Sequence, residues 1–585
     1  MVKKTILVVI LICVIGRIVI SFPLDNIHML GGSDFTAHLF NMWYSSNFGI
    51  TNWNKYLYAG YPSFGTYSPL SYLVGGYVGR IIGVLLAYKL IIDIFFIITP
   101  LVFYLFLKEL KLLDESIAIA LIIFSLMPVY FYYFLKGTYP TIINTVFILV
   151  FWILLKKTID EKKLKYLVLA SILLAISILT HHLTTLIAML ITFVWLVSYS
   201  FKIKSIISFF KICVLAGLIS SWWLFPFIIE MTTKSSSESS QALELQVVPQ
   251  LESEIISRNF VYALFGYIGI ICIFSIFLLK DKNVKNFFIT SVFLAILLIL
   301  FPYKRTYLFV PIATSVLVGE IISRTKREVK LLVVIGLVVL LSLNYLSIKR
   351  LIYPYPEVPE IPKDGRVIYL PYGSEFNEAE NEDKSLYSIA LAPMKGNENI
   401  FGNLPQSQTV EKNAYTELLM NPLSLDKKEY YNLLKNGWVN YIVINNRYPN
   451  LVKYFNESEN FILINETKLF FIFQLQPKSA YVEINGKPLS DVDVVKDDDK
   501  ILINFTCSPG ELAIKESYHN YWNGFIDKKK IVLGSTKYGF MKTNINETNK
   551  CMMLLQFTNP WYYMIFDLIS IASVGFALIV FFKKP

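Results

Sequence analysis

The chain has 585 residues, of which 55% are hydrophobic and 17% are charged. Soluble domains carry about a quarter of charged residues, so this composition excludes an ordinary soluble protein and indicates a membrane protein. The 54 basic residues outnumber the 43 acidic ones, but they cluster in short loops between apolar runs, which is the pattern that orients helices in a bilayer and does not indicate nucleic-acid binding.

The apolar runs predict a polytopic α-helical membrane protein, because about 20 largely apolar residues span the hydrocarbon of a bilayer. Twelve spans are expected, near residues 5–22, 88–107, 116–134, 140–156, 165–183, 184–201, 206–229, 260–279, 286–302, 305–323, 329–346 and 561–582. The first is expected to remain as an anchor, since no small-residue cleavage site follows it. The short, glycine-rich stretch 69–83 is expected to lie on the outer surface or to enter the membrane partway.

The charges of the loops predict the orientation. With the N-terminus in the cytoplasm, nearly every cluster of Lys and Arg between the spans falls on the cytoplasmic side, as the positive-inside rule requires. Both termini are then cytoplasmic, and the protein lies in the cell membrane. The first outer loop (23–87), THHL at 180–183, FPYKR at 301–305 and a large domain at 347–560 all face outside.

The outer region changes from long apolar runs to short strand signals such as GRVIYLP and WVNYIVIN. The stretch at 425–437 predicts one helix that ends at a glycine. The expected domains are a transmembrane domain over 1–346, an outer mixed α/β domain over 347–477, an outer β-sandwich-like domain over 478–558 and a C-terminal transmembrane helix over 559–585. Cys507 and Cys551 both lie in the outer region, and their spacing leaves open whether they form a disulfide.

The first outer loop begins with a candidate catalytic acid. Asp34 lies just outside the first span, and His38 follows four residues later, which places both on one face of a helix. As the alternative, Ser33 or Asp34 could cap that helix. Aromatic residues at a membrane surface usually act as interfacial anchors. That does not explain their order here with glycine and proline, and it makes Trp53 and Tyr67 candidate substrate-binding residues.

The order S-D-x-x-x-H, N-W, G-Y-P-S-F and Y-S-P-L in this loop resembles the first outer loop of GT-C-fold membrane glycosyltransferases. The branch it is most similar to comprises prokaryotic membrane proteins described as related to 6-pyruvoyl-tetrahydropterin synthase, together with YfhO-like proteins. The segment 511–563, which returns the chain to the membrane, resembles the same group. The resemblance implies a GT-C-like membrane domain of about 12 spans with an outer α/β plus β-sandwich domain.

The resemblance also implies a function, namely the transfer of a sugar from a polyprenyl-phosphate donor to a glycan, lipid or protein acceptor outside the cell. In that superfamily the acid matching Asp34 acts as a general base or helps to bind a metal ion. One acid suffices for an inverting transfer, because a phosphate leaves without being protonated. A non-catalytic glycan or lipid transporter, or an envelope-assembly scaffold with the same fold, is the alternative. Lack of internal repeats counts modestly against transport.

Charged residues elsewhere on the outer side are candidates for the same site. Lys304 and Arg305 form a compact basic pair outside, where the positive-inside rule disfavours one. We expect them to bind the donor phosphate, with ordinary anionic headgroups as the alternative. Asp93 lies near the outer end of an apolar span and must avoid lipid, so it either lines the site or pairs with Arg17.

His181 and His182 end an apolar span at the outer surface. Adjacent residues on a helix diverge by about 100°, so the pair does not suit one metal ion, and no third ligand stands at zinc spacing. We expect them to hydrogen-bond to phosphate or acceptor, with interfacial packing as the alternative. The sequence predicts no metal ligands and no certain cofactor, although it leaves a divalent ion open at Asp34.

Overall fold

A computed structural model shows a bundle of apolar helices joined to a strand-rich region, which is called the outer region after its predicted location. It describes residues 2–21, 24, 28–30, 33–49, 53–57, 59–62, 65, 67–126, 130, 133–134, 137–200, 203–234, 309–323, 352–354, 359–370, 392–400, 415–416, 418–419, 422–446, 448–468, 470–489, 491–497 and 499–582. The spans predicted near 260–279, 286–302 and 329–346 lie outside these residues.

The helices described before the strand-rich region are α1 (Val2–Ile20), α2 (Ser33–Phe48), α3 (Leu70–Ile82), α4 (Val84–Glu109), α5 (Asp114–Leu126), α6 (Tyr139–Glu161), α7 (Leu164–Ser200), α8 (Ile203–Ile219), α9 (Ser221–Lys234) and α10 (Phe309–Ser323). Within the described residues, four helices are long and apolar enough to cross a membrane, including the last helix of the chain at Tyr563–Phe582. A fifth span results if α8 and the first part of α9, which meet at 84°, are one crossing. The prediction of a membrane protein with several spans is therefore confirmed.

Helix α7 turns sharply at His181, whose φ of −160° and ψ of 89° are not helical. The hydroxyl of Thr185 donates to the hydroxyl of Ser177 at 3.1 Å, although residues eight apart in a straight helix are separated by about 12 Å. Asn144 of α6 bridges the turn by donating to the Thr185 hydroxyl and to the His181 carbonyl. The turn falls where the sequence separates two predicted spans, at residues 183 and 184.

Helices α2 and α3 belong to the first outer loop and pack closely against each other. Gly76 of α3 lies against the backbone of α2, and a Cβ added there would come within 2.8 Å of the Ser46 main-chain nitrogen. At neighbouring Gly75 a Cβ would meet the side chains of Met42 and Tyr139. With 13 residues, α3 is too short to span a bilayer. The predicted non-spanning helix over 69–83 is therefore present.

The first part of the outer region is a mixed four-stranded sheet. Its strands are β5 (Arg366–Leu370), β6 (Val439–Asn445), β7 (Phe461–Glu466) and β8 (Phe470–Leu475), in the order β5-β6-β8-β7. β5 and β6 are parallel, and β6 is buried along its whole length, as expected for a strand covered on both faces. Helix α11 (Lys427–Asn436) packs beside it, capped by the Asp426 carboxylate. It confirms the helix predicted over 425–437. Helix α12 (Pro449–Asn456) follows β6.

The second part of the outer region is a sandwich of two five-stranded sheets. One sheet has the order β10-β9-β13-β17-β16 and the other β11-β12-β18-β14-β15. The bounds are β9 (Val482–Ile484), β10 (Lys487–Pro488), β11 (Val492–Lys496), β12 (Lys500–Thr506), β13 (Gly510–Ser517), β14 (Trp522–Ile526), β15 (Lys529–Ile531), β16 (Gly534–Ser535), β17 (Phe540–Ile545) and β18 (Lys550–Phe557). Alternate residues of β12 and β18 are buried, which is the period of two that lines a sandwich core.

Two further connections fix the outer region. Cys507, which directly follows β12, and Cys551, near the start of β18, form a disulfide with their Cα atoms 5.7 Å apart. This answers the question that their spacing left open. Strand β1 (His28–Leu30), just after the first helix, pairs with β4 (Ile352–Pro354) at the start of the outer region. The short strands β2 (Trp53–Asn54) and β3 (Tyr61–Pro62) pair within the first outer loop. The chain returns to the membrane in helix α13 (Tyr563–Phe582).

Candidate active site

Helix α2 carries the predicted acid in its first turn. Asp34 is the second residue of α2, and its side chain lies outside the described part of the structure. His38, one turn later, is buried and shares a hydrogen bond of 2.7 Å between its Nδ1 and the Tyr72 hydroxyl. The i, i+4 spacing on the helix places positions 34 and 38 on one face, as the sequence predicts.

Tyr67 brings the predicted histidines together. Its ring centroid lies 6.1 Å from that of His38, 5.8 Å from Tyr72, 5.9 Å from His181 and 6.2 Å from His182. These five residues, here called the aromatic–histidine cluster, join the first outer loop to the turn in α7. The structure thus assembles four of the predicted binding residues in one place. Tyr72 is the member that sequence reasoning missed, and its only signal was an aromatic residue close to Y-S-P-L.

Ser68 holds the turn of α7 against the first outer loop. Its hydroxyl donates to the Ile178 carbonyl at 3.1 Å and accepts the His182 main-chain N–H at 3.0 Å. It also lies 2.9 Å from His182 Nδ1. One hydroxyl of the first outer loop therefore contacts α7 on both sides of its turn.

His181 has a defined tautomer when it is neutral. Its Nδ1 accepts the main-chain N–H of Thr184 at 3.1 Å, so Nδ1 carries no proton and Nε2 carries it in the neutral ring. The rings of His181 and His182 are nearly parallel, with an interplanar angle of 15° and centroids 6.2 Å apart. Neutral His181 is therefore a donor at Nε2, a group that suits hydrogen bonding to a phosphate or to a sugar hydroxyl.

Helix α4 presents two buried ionisable groups, Lys89 and Asp93. They are four residues apart and share one face of the helix. The neighbouring Tyr88 ring packs edge-on against Phe35 at 4.8 Å, in the first turn of α2. Tyr88 therefore places α4 beside the turn that carries Asp34, and Lys89 and Asp93 lie on a neighbouring face of the same helix. Sequence reasoning singled out Asp93 and missed Lys89, although a lysine inside an apolar run was a usable signal.

Arg17, which the sequence offered as a possible partner of Asp93, has its guanidinium group among aromatic rings. Its guanidinium group lies over the rings of Phe96, Phe124 and Tyr130, at 4.5, 5.6 and 4.7 Å from their centroids. One of its nitrogens donates to the Phe96 carbonyl at 2.5 Å. Cation–π contacts and a carbonyl thus stabilise this charge inside the bundle.

Trp53 differs from the other predicted binding residues. It is 2% exposed, and its ring packs against Trp522 and Phe557, each with centroids 5.0 Å away. The indole N–H donates to the Glu516 carboxylate at 3.0 Å. Such burial in the core of the β-sandwich argues against substrate contact by Trp53. The predicted phosphate-binding pair, Lys304 and Arg305, lies outside the described residues.

A metal site is not apparent in the part of the chain that the structure describes. The potential ligands that converge there are Asp527, Glu547 and Cys551, whose ligand atoms lie within 4.8 Å of one another. Cys551 is bonded to Cys507, so its sulfur is not a thiolate, and the remaining pair of acids does not make a metal site. A divalent ion at Asp34 stays a prediction.

The arrangement of a helical bundle, a first outer loop with two helices and a strand-rich outer region is similar to the fold of solved GT-C glycosyltransferases. The structure is similar to that of the arabinofuranosyltransferase AftD from mycobacteria, with a TM-score of 0.56 and 9% identity over 95% of this chain and 60% of that one. It is also similar to the oligosaccharyltransferase of Archaeoglobus fulgidus, with a TM-score of 0.51 and 13% identity over 76% of this chain and 69% of that one. A structure of the latter enzyme, AglB, with an inhibitory peptide and a dolichol-phosphate gives the same TM-score of 0.51.

A family model matches just under half of the sequence. Residues 64–349 match the family described as "6-pyruvoyl-tetrahydropterin synthase related domain; membrane protein", which confirms the resemblance found in the first outer loop. No curated protein is similar to the chain in sequence at a significant level. The chain spans 60% of the length of the arabinofuranosyltransferase that it resembles, and identities of 9% and 13% establish the common fold alone.

Proposed function

We propose that this protein is an inverting membrane glycosyltransferase that moves a sugar from a polyprenyl-phosphate donor to a glycan, lipid or protein acceptor outside the cytoplasm. The observation that carries the proposal is the aromatic–histidine cluster. It lies beside the helix that begins with Ser33 and Asp34, in a fold shared with an enzyme whose structure holds a dolichol-phosphate. Fold alone does not define a function, so the proposal depends on this site.

The reaction is a single displacement at the anomeric carbon. The acceptor hydroxyl attacks that carbon, the bond from carbon to the phosphate oxygen breaks, and the polyprenyl phosphate departs with the electron pair. Asp34 takes the proton of the acceptor hydroxyl as general base. One displacement inverts the configuration of the sugar.

The remaining residues bind and orient the substrates. Arg305 and Lys304 hold the donor phosphate, because two cations stabilise the charge that grows on it as the bond breaks. His38 and His181 offer hydrogen bonds to the sugar or acceptor beside Asp34, and His182 and Tyr67 line the same space. Asp93 is buried in α4, the helix that packs against α2 through Tyr88, and contributes to the electrostatic potential at the site.

The orientation belongs to the same proposal. We place both termini in the cytoplasm and the outer region outside the cell membrane. The Cys507–Cys551 disulfide supports this orientation, because disulfides persist in oxidising compartments and are rare in the cytosol. A lipid-linked donor in the outer leaflet and an acceptor outside can then both reach the cluster.

The test compares cells that express wild type, Asp34→Asn and the control Glu429→Gln, an exposed acid of α11. Glycolipids and surface glycans are analysed by mass spectrometry, and folding is checked by the melting temperature in detergent. A sugar that is present with wild type and with the control, and absent with a folded Asp34→Asn protein, supports the transfer. Identical profiles for all three, with the mutant still functional in cells, would remove Asp34 as the base and favour the transporter or scaffold.

A further inference from the structure

Three segments that are far apart in the sequence meet at one buried carboxylate, that of Glu516. It lies at the end of β13 in the β-sandwich and is fully buried. Glu516 receives the indole N–H of Trp53 from the first outer loop at 3.0 Å. Arg366 of β5 contacts it at 3.0 Å, and so a residue from the mixed sheet joins the same site.

The charges at this point are balanced. Lys496 lies 3.2 Å from Glu516 and 2.8 Å from Glu398, while Arg366 also lies 3.2 Å from Glu398. Two cations and two carboxylates therefore cancel, and the Tyr481 hydroxyl adds a hydrogen bond of 2.9 Å to Glu516. Glu516, Arg366, Lys496, Glu398 and Trp53 are here called the Glu516 junction.

Backbone hydrogen bonds fasten the first outer loop at the same place. The Asn399 N–H donates to the Tyr56 carbonyl at 2.8 Å, and the Ser517 N–H donates to the Ala59 carbonyl at 2.9 Å. Gly60 has a φ of 99°, and a Cβ there would stand 2.4 Å from a Glu516 carboxylate oxygen and 2.5 Å from the Trp53 ring. The loop therefore touches the junction so closely that only glycine fits.

Trp53 also contacts the helix of the candidate active site. Its main-chain carbonyl accepts a hydrogen bond of 2.9 Å from the Tyr44 hydroxyl. Tyr44 lies in α2, the helix that begins with Ser33 and Asp34 and also carries His38. A side chain of the β-sandwich is thus two hydrogen bonds away from the helix of the proposed base.

We propose that Glu516 is a positioning residue for the candidate active site, which holds α2 and the first outer loop in place through Trp53. The idea rests on the proposed function. It gives the outer region a role in catalysis, because the site is completed only when the β-sandwich is docked on the loop. Charged junctions suit this role, since a buried pair fixes one geometry even where apolar residues would be as stable.

The experiment replaces the charges by apolar groups of similar size in R366M/E516L, which leaves the Lys496–Glu398 pair intact. E511L/K542M is the matched control, because Glu511 lies on the same strand and forms an exposed pair with Lys542 at 3.0 Å. E516Q, which keeps the size and a hydrogen-bonding group, serves if the double variant does not fold. Folding is measured by the melting temperature, and mobility by amide hydrogen exchange.

The expected result is a folded R366M/E516L protein with exchange in residues 53–62 and in α2 that is faster by about tenfold or more, while β12 and β18 are unchanged. The turnover of the sugar transfer falls by about 10- to 100-fold with little change in the KM for the donor, because a base displaced by about 1 Å still allows binding. The control is unaltered in all of these measurements.

Two results would overturn the positioning role. One is unchanged exchange in residues 53–62 and α2 in folded variants. The other is a loop that exchanges faster while transfer continues at the wild-type rate. If wild type and Asp34→Asn do not differ in their glycans, the proposed function fails by itself, and the exchange measurement still decides whether Glu516 fixes the loop and α2.

Discussion

The aromatic–histidine cluster and the Glu516 junction both bury polar groups, but with different chemistry. The side chains of the cluster are phenols and imidazoles that share hydrogen bonds, such as the 2.7 Å bond between His38 and Tyr72. The junction consists of four formal charges with 3.0 Å between Arg366 and Glu516. Loss of a hydrogen bond between neutral groups leaves no unpaired charge behind. Loss of one partner of a buried ion pair does, because each buried charge needs its partner.

The difference indicates that the two regions have different roles. The cluster lies where substrates are expected and offers them neutral hydrogen-bonding groups. The junction lies where the first outer loop meets the outer region and holds that loop in one position. Changes at the junction are therefore expected to cost more stability than changes in the cluster.

The largest expected effect follows from removing one charge of the junction. Arg366→Met leaves Glu516 and Glu398 with one cation between them, and breaking a buried pair in this way costs about 3–5 kcal/mol. Chemical denaturation of the outer region in detergent measures it. Lys478→Met is the control, because its pair with Asp364 is 41% and 52% exposed, and such pairs contribute about 0–1 kcal/mol. Equal losses in both variants would contradict the difference drawn between buried and exposed pairs.

Acid is expected to weaken the junction next. Burial by itself raises the pKa of Glu516, but the charges of Lys496 and Arg366, with hydrogen bonds from Trp53 and Tyr481, hold that pKa below its ordinary value of 4.5. A lowered pKa in the folded state contributes stability above the unfolded pKa, and this contribution is lost as the pH falls through the folded value. The loss is smaller than for Arg366→Met, because a protonated carboxyl keeps its hydrogen bonds.

This pH effect is measured by melting temperatures of wild type and Glu516→Gln between about pH 7 and about pH 3. Wild type should be the more stable protein near neutral pH, and the gap should close in acid, where the Glu516 carboxyl resembles the amide. A constant gap over the whole range would show that the charge of Glu516 does not contribute.

Ser68→Ala, at the residue that contacts His182 of the cluster, is expected to have the next largest effect. It removes the acceptor of the buried His182 N–H and the contact to His182 Nδ1, and an unsatisfied buried group costs about 1–3 kcal/mol. Ser208→Ala is the control, since the Ser208 hydroxyl is exposed and bonds within its own helix. The melting temperature in detergent distinguishes the two variants. If they melt together, Ser68 does not hold the turn of α7.

Tyr72→Phe should have the smallest effect on stability. It removes the neutral hydrogen bond to His38 and keeps the ring contacts, and the loss of such a bond costs about 1 kcal/mol. Tyr77→Phe on the same helix is the control, because Tyr77 is 63% exposed. If our proposed function is correct, sugar transfer should fall more than stability does in Tyr72→Phe. A loss of stability as large as that of Arg366→Met would show that the cluster is as rigid as the junction.

Much of the local structure could be predicted from the sequence alone. The apolar run near 88–107 became α4, and that near 561–582 became α13, because length and hydrophobicity decide whether a segment forms a membrane helix. Short β-branched and aromatic stretches bounded by Gly, Pro, Asn and Asp predicted the strands of the outer region. The acid and the histidine of α2 were recognised because their spacing of four is local.

The long-range pairs were decided by the tertiary structure. Ser68 and His182 are 114 positions apart, and Trp53 and Glu516 are 463 positions apart. Nothing in the local pattern around Trp53 distinguishes a substrate-binding ring from one in a core, and so its burial beside Glu516 was missed. Lys89 was missed because the apolar sequence around it shows only that its charge belongs to a membrane helix. The sequence does not show which neighbouring helix that charge faces.

The sequence by itself determined that this protein is a membrane protein with a strand-rich region after its apolar helices, and the order of residues in the first outer loop pointed to a resemblance to GT-C-fold glycosyltransferases. Those properties depend on composition, periodicity and short motifs. The tertiary structure decided which polar groups meet, since a hydrogen bond of 3 Å between remote segments exists only after the helices and sheets have packed. The candidate site depends on both, with its acid found in the sequence and its surroundings found in the fold.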